Sequence, residues 1–162
     1  MWVWQQEKER KAAYRVAREW IALPELGIEK LKVKVDSGAR TSALHATDIE
    51  YYERAGQPMV RFRVSPLQDT SRGQKLVHAH LVGKKVVKSS IGISTRRPTI
   101  LTSARIGERK FEIHVTLINR DMMGFRMLLG REALRGRFLI DTEQSFLLNS
   151  ERKKKLRKRG AK

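Results

Sequence analysis

A short run of small and acidic residues, Asp36-Ser37-Gly38-Ala39, is the segment of this sequence best suited to carry chemistry. The carboxylate of Asp36 can take a proton from water or return one to a leaving group, and Gly38 lets backbone approach a substrate closely. Alone, Asp-Ser-Gly indicates only a tight turn, because Asp and Ser bond to nearby backbone and Gly adopts unusual φ angles. The surrounding sequence therefore has to decide between a turn and a site.

The residues before this run predict a half-buried strand that leads directly into Asp36. Apolar residues and lysines alternate from Lys30 to Val35, as a strand with one buried face requires. The same alternation recurs from Val60 to Val64 and from Phe111 to Leu117, which predicts two further strands. Asp36 thus follows the apolar face of a strand, where a rigid scaffold can position it.

A second motif lies near the other end of the sequence, where Met127-Leu128-Leu129 is followed by Gly130-Arg131. We predict a strand from Phe125 to Leu129, one helical turn from Glu132 to Arg135, and a strand from Arg137 to Ile140. A further strand is predicted from Ser145 to Leu148.

Glycine and proline residues divide the middle of the chain into short segments, including Leu76 to Val82 and Val86 to Lys88. Short strands at such intervals are typical of an all-β barrel or sandwich.

The two motifs together resemble those of retroviral-type aspartic proteases, in which an Asp-Thr/Ser-Gly-Ala loop is completed by an apolar-apolar-Gly-Arg turn. Over longer stretches, residues 34–46 and 119–138 look like the bacterial RimB-type family. That family is often labelled an "ATP-dependent zinc protease", although its fold is retropepsin-like. The resemblance covers most of residues 19–149 and implies an all-β, closed retropepsin-like barrel with one short C-terminal helix.

The two ends of the sequence differ from this domain. Helix formers between residues 5 and 20 carry apolar residues near a 3.6-residue spacing, so we predict a short N-terminal helical extension and assign residues 1–18 to it. Like charges from Arg152 to Arg159 predict a disordered basic tail over residues 150–162. This tail is either a tether for RNA or an acidic partner, or a solvated solubility tail.

The resemblance implies that Asp36, Ser37 and Gly38 are catalytic. Two carboxylates held about 3 Å apart cannot both ionise, so one keeps a proton while the other acts as a base on water. The water attacks an amide carbonyl that the protonated carboxyl polarises. Because the sequence contains a single triplet of this kind, we predict a symmetric homodimer in which each chain contributes Asp36.

Arg40 stands where retropepsins usually have an acidic residue that lines the substrate cleft. If the backbone path is shared, the reversed charge favours carboxylate-rich substrates. The RimB-type family is associated with ATP-grasp glutamate ligases of the RimK type, which implies trimming of glutamate tails on a ribosomal protein. Arg131 is left to pair with Glu132, Asp121 or the substrate. We expect substrate-binding residues at five positions: Ala39, Arg40, Thr41, His45 and Arg131.

A flap that closes over the substrate is expected in the middle of the chain. Ser65 to Gln74 and Lys88 to Ser94 both have the polar and glycine content of a mobile hairpin, and the sequence does not choose between them.

The balance of 35 basic and 17 acidic side chains gives a formal net charge of +18, which attracts polyanions. A non-catalytic basic module that binds RNA or the ribosome is therefore the main alternative. The absence of cysteine excludes disulfides, thiol nucleophiles and cysteine-based metal sites. Without a signal-peptide pattern or a long apolar run, we expect a cytoplasmic protein with no membrane partner.

A zinc-dependent protease is a further alternative, because His78-Ala79-His80 places two imidazoles on one face of a strand. The other candidate ligands are His45, His114, Asp36 and Asp48. The sequence has no His-Glu-x-x-His motif and no phosphate-binding Gly-x-x-x-x-Gly-Lys-Ser/Thr loop. We therefore expect neither a metal nor a nucleotide cofactor.

Overall fold

The computed structural model describes residues 14–16, 18–67, 72–119, 124–141 and 145–148. An α-helix, α1, spans Arg131–Leu134, close to the helical turn predicted there, and a 3₁₀ helix spans Pro24–Leu26. The strands of the described ranges, in chain order, are β1 (Tyr14–Val16), β2 (Arg18–Leu23), β3 (Ile28–Val35), β4 (Ser42–His45), β5 (Thr47–Arg54), β6 (Gln57–Val64), β7 (Lys75–His80), β8 (Gly83–Lys88), β9 (Ser94–Ile106), β10 (Arg109–Ile118), β11 (Met127–Leu129) and β12 (Leu139–Asp141).

Six of these strands close into a barrel in the order β10-β4-β11-β3-β2-β9, with β9 pairing back onto β10. Strand β8 continues the sheet beyond β9, so β8 and β9 form a hairpin that extends from the barrel. Strands β5, β6 and β7 form a separate antiparallel sheet, and β1 pairs with β12. The expected all-β closed barrel with one α-helix near its C-terminal end is confirmed.

The period-two pattern of the sequence gives β3 its buried face. Leu31 and Val33 are fully buried and Val35 is nearly so, whereas the lysines between them are partly exposed. Removing such side chains from water is the main stabilising contribution of a strand of this kind. The buried face of β3 ends at Val35, so the chain reaches Asp36 from a fixed position.

The barrel interior also fixes β11, the strand that leads into α1. Met127 and Leu129 are fully buried, and β11 lies between β3 and β4. The ends of β3 and β11 therefore lie side by side. Among the described residues, the other fully buried large side chains are Ile21, Leu23, Ile28, Leu31, Leu44, Phe62, Ile100, Ile106 and Leu117.

The predicted N-terminal helix was wrong over the part that the structure describes, because residues 14–16 and 18–20 are strand. Strand β2 pairs with β3 on one side and with β9 on the other, and its Ile21 and Leu23 are buried. Barrel closure therefore overrides the helical spacing in the sequence. Residues 1–13 and the predicted basic tail, 150–162, lie outside the described ranges.

The strand predicted from Ser145 to Leu148 was also wrong, because these residues form a bend and a turn. Phe146 has a φ of 59°, in the left-handed region, which interrupts an extended path. Its ring stacks on Trp20 with the ring centroids 5.6 Å apart, and its backbone N–H donates to the Arg18 carbonyl. This segment thus contacts β2 through both a ring stack and a backbone hydrogen bond.

Candidate active site

The Asp36 loop begins where β3 and β11 end together. The backbone N–H of Asp36 donates to the Leu129 carbonyl at 3.0 Å, so the first residue of the loop is tied to β11. Asp36 Oδ1 accepts two backbone hydrogen bonds, from Gly38 N at 3.0 Å and from Ala39 N at 3.2 Å. The Asp36 side chain is half-buried and still reaches solvent. The loop therefore orients the carboxylate through one oxygen and leaves the group accessible.

Gly130 allows the Asp36 loop and the start of α1 to touch through their backbones. The Arg131 N–H donates to the Ala39 carbonyl at 2.8 Å, and the Glu132 N–H donates to the Arg40 carbonyl at 3.1 Å. A Cβ on Gly130 would lie 2.6 Å from the carbonyl carbon and oxygen of Thr41. Only glycine fits this approach, which explains the Gly-Arg motif in physical terms.

Arg131 supports the loop from the side of α1. Its Nη1 donates to the carbonyls of Ser37 and Gly38 at 2.9 and 3.0 Å. The expected pairing of Arg131 with Glu132 is not found, because Glu132 bonds to other cations, and Asp121 lies outside the described residues. Arg131 therefore positions the loop, and its contact with substrate stays a prediction.

Glu132 joins two cations beside the loop. Arg40 Nε donates to Glu132 Oε1 at 2.8 Å, and Lys85 Nζ of β8 lies 3.6 Å from Glu132 Oε2. The hydrogen bond from Arg40 lowers the pKa of the Glu132 carboxyl, with the positive charge of Lys85 adding to the effect. Because one carboxylate serves two cations, the trio keeps one positive charge.

The β8–β9 hairpin lies next to the Asp36 loop, since Lys85 of β8 reaches Glu132. Of the two predicted flap segments, Lys88 to Ser94 covers the turn of this hairpin. Ile91 and Ile93 in that turn are 74% and 58% exposed. The other segment, Ser65 to Gln74, includes residues 68–71, which lie outside the described ranges. Its role as a flap stays a prediction, as does closure of the hairpin.

The remaining predicted substrate-binding residues lie along the loop and β4. Ala39 and Thr41 are half-buried in the loop. His45 ends β4, where its backbone N–H donates to the Arg126 carbonyl at 2.7 Å and its backbone pairs with Ile118. His45 is thus at the far end of β4 from Thr41, and its contact with substrate remains a prediction.

Among the described residues, no three His, Cys, Asp or Glu side chains group closely enough to hold a metal ion. His78 and His80 both lie on the exposed side of β7. His78 Nδ1 is 2.8 Å from the Tyr52 hydroxyl.

Two site residues escaped the sequence analysis. Ser42 is buried in β4, and its Oγ accepts a hydrogen bond from Gly130 N at 3.1 Å. Lys85 comes close to Glu132 only because the β8–β9 hairpin places it there. The sequence signal for Ser42 was only its position between Thr41 and the apolar residues Ala43 and Leu44.

A sequence profile described as "RimB-like: Retropepsin-like aspartic endopeptidase RimB" matches residues 16–151. The chain belongs to this RimB-like family. The expected resemblance and the retropepsin-like fold are both confirmed. Within the parts of the chain that the structure describes, no helix has the length and apolar character needed to cross a membrane.

Two curated relatives of this RimB-like chain are each named "Probable alpha-L-glutamate ligase". The protein from Shewanella pealeana is 41% identical over 135 residues, which are 83% of this chain and 30% of the relative. The protein from Desulfotalea psychrophila is 41% identical over 142 residues, which are 88% of this chain and 31% of the relative. The chain thus spans about 30% of the length of these relatives.

A solved structure of a Legionella pneumophila protein of unknown function has the same fold. It superposes with a TM-score of 0.70 at 29% sequence identity, over 85% of this chain and 99% of that chain.

Proposed function

We propose that this chain is an aspartic endopeptidase that hydrolyses amide bonds with Asp36 and the Asp36 of a second copy. The observation that carries the proposal is the geometry of the Asp36 carboxylate. Two backbone N–H groups hold one of its oxygens, and Arg131 and Gly130 hold the loop that bears it. The family is described as an aspartic endopeptidase, which supports this chemistry.

The proposed reaction needs two such carboxylates, and each chain has one triplet of this type. Two carboxyl groups brought within about 3 Å share one proton, since both cannot ionise. The ionised group takes a proton from water, and the water oxygen bonds to the amide carbon while the protonated group donates to the carbonyl oxygen. The C–N bond then breaks, and the nitrogen leaves with a proton returned by the dyad.

We propose glutamate-rich tails of a ribosomal protein as the substrate. Arg40, Lys85 and Glu132 keep a net positive charge beside the Asp36 loop, which favours carboxylate side chains. The name of the curated relatives supports a link to glutamate addition, to which removal is the opposite reaction. An ATP-grasp glutamate ligase as a partner and a cytoplasmic location stay predictions.

The test compares wild-type protein with Asp36→Asn on a peptide that ends in a glutamate tail, with products identified by mass spectrometry. Asp36→Asn should lower the cleavage rate by about 100-fold or more, the usual contribution of an acid–base group. Asp48→Asn is the matched control, because Asp48 is an exposed carboxylate paired with Arg63, and it should retain cleavage. Full activity of Asp36→Asn would refute the proposal.

A basic module that binds RNA or the ribosome is the second candidate. Lys30 and Lys32 hold their ammonium groups 4.5 and 5.7 Å from the centre of the Trp20 ring, which gives the outer face of β2 and β3 a basic and aromatic character. Asp36→Asn should lose cleavage and keep salt-dependent RNA binding if both functions exist. A chain without residues 151–162 should show the opposite pattern.

A further inference from the structure

A cavity of about 450 Å³ opens at the base of the β8–β9 hairpin, outside the Asp36 loop. Pairing of β9 with β10 ends at Thr99 and Thr116. Beyond this point, β9 continues with β8 while β10 continues with β4, so the two strands diverge. The volume lies within the range of sites that hold small ligands or a few peptide residues.

The cavity combines an apolar floor with a cationic rim. Pro98 and Leu117 are buried in the floor, whereas Arg96 and Arg97 lie on the hairpin side. The described lining contains no acidic residue. At one end of the cavity, Lys84 Nζ lies 4.2 Å from the centre of the exposed Tyr51 ring. The chemistry of the cavity suits an anionic ligand that also has apolar atoms.

Cations connect this cavity with the Asp36 loop. Lys85 lies directly opposite Arg97 in the hairpin. Side chains of such a cross-strand pair share one face, with Cβ atoms about 5 Å apart. Lys85 also approaches Glu132, which binds Arg40. The hairpin and the loop thus present a series of positive side chains that ends at the cavity.

We propose that this cavity is an exosite for an acidic, extended peptide segment. Two strand edges separate here, and an extended peptide can hydrogen-bond to such edges. Arg96 and Arg97 lie on opposite faces of β9, and both line the cavity because it opens at the edge of the strand. Guanidinium groups form strong paired hydrogen bonds with carboxylates, so both arginines suit acidic side chains of a bound peptide. That the bound segment belongs to a substrate rests on the proposed function; the binding itself does not.

The experiment measures the anisotropy of a fluorescein-labelled octaglutamate peptide with full-length Asp36→Asn protein, so that no cleavage occurs. Adding Arg96→Gln and Arg97→Gln should weaken binding about tenfold. Arg105→Gln with Lys110→Gln removes the same charge from an exposed cross-strand pair at the other end of β9 and β10, and should change affinity by less than about twofold. Thermal melts confirm that each variant is folded.

Equal losses in the two double variants would mean general charge attraction and would overturn the exosite. So would loss of peptide binding in Arg40→Gln together with unchanged binding in Arg96→Gln/Arg97→Gln, since the cleft would then be the binding site. Binding of fluorescein-labelled oligouridylate to the same proteins is measured in parallel. If the Arg96→Gln/Arg97→Gln change weakens oligouridylate binding more than peptide binding, the cavity recognises nucleic acid and the proposal fails. Arginine-dependent peptide binding by a wild-type protein without cleavage activity would support the exosite and refute the proposed function.

Discussion

Gly130 tolerates no side chain, because a Cβ there would overlap the backbone of Thr41 at 2.6 Å and of Arg40 at 2.9 Å. Backbone cannot move aside as the end of a flexible side chain does. We therefore expect Gly130→Ala to lower the free energy of unfolding by on the order of 3 kcal/mol, as severe overpacking does.

Gly83→Ala is the matched control for Gly130→Ala. An added Cβ at Gly83 meets no atom within 4 Å, and the residue has no positive φ. Its free energy of unfolding should stay within about 1 kcal/mol of wild type. Urea denaturation of both variants checks the difference, and similar losses in the two would contradict this account of the Gly-Arg motif.

Ser42→Ala should destabilise the junction between β4 and α1. The Ser42 hydroxyl accepts the buried N–H of Gly130, which would be left without this partner. Leaving such a group unsatisfied costs about 1–3 kcal/mol. Ser90→Ala, at an exposed position in the hairpin turn, should have no measurable effect on the melting temperature. A Ser42→Ala protein as stable as Ser90→Ala would show that the hydrogen bond has no structural weight.

At the level of single residues, the sequence indicated those candidate site residues that lie within contiguous motifs. Asp36, Gly38 and Arg131 stand out because their chemical types and order are informative. The bond of Ser42 to Gly130 joins residues 88 positions apart, and that of Arg40 to Glu132 joins residues 92 positions apart. Such pairings depend on the folded path and have no local signal.

The junction of α1, the Asp36 loop and β8 should respond to pH through Glu132. Its hydrogen bond from Arg40 lowers its folded-state pKa below the ordinary value of 4.5. A lowered pKa stabilises the fold fully above the unfolded-state value, and this contribution disappears as the pH falls through the folded-state value. Because Glu132 is 37% exposed and Arg40 is 79% exposed, solvent keeps the effect within about 1 kcal/mol.

Glu132→Gln tests this link. The melting temperature of the variant should be slightly below that of wild type at pH 7, and the difference should vanish below the lowered pKa. Glu50→Gln, which removes a partner of Arg61 on the β5–β6 sheet, controls for the loss of one surface ion pair. A difference between Glu132→Gln and wild type that grows as the pH falls has the wrong sign and would contradict the assignment.

At the level of elements, period-two patterns predicted β3, β6 and β10 because each has one buried face. The helical spacing near Trp20 led to a wrong prediction of a helix. Strand β2 forms because β3 and β9 pair with it on either side, and its own sequence does not show these partners. The turn at Phe146 was missed because a positive φ at an aromatic residue has no sequence signature.

For the whole molecule, we expect a dimer. Each chain of 18.8 kDa supplies one Asp36, so sedimentation velocity should show twice this mass under the conditions in which cleavage is measured. Equimolar mixing with Asp36→Asn followed by exchange should leave about one quarter of the dimers with two wild-type chains. At equal total protein, the cleavage rate should therefore fall to about one quarter of the wild-type rate. A fully active monomer would contradict the shared site.

Strand β9 belongs both to the barrel and to the β8–β9 hairpin. Its residues from Thr99 onward pair with β10 in the barrel wall, whereas its residues up to Thr99 pair with β8 in the hairpin. Thr99 is almost fully buried and pairs with both Gly83 and Thr116, so the barrel and the hairpin meet at this residue. A ligand bound between β9 and β10 beside Thr99 would therefore contact the barrel wall and, at the same time, the strand that leads to the hairpin turn with Ile91.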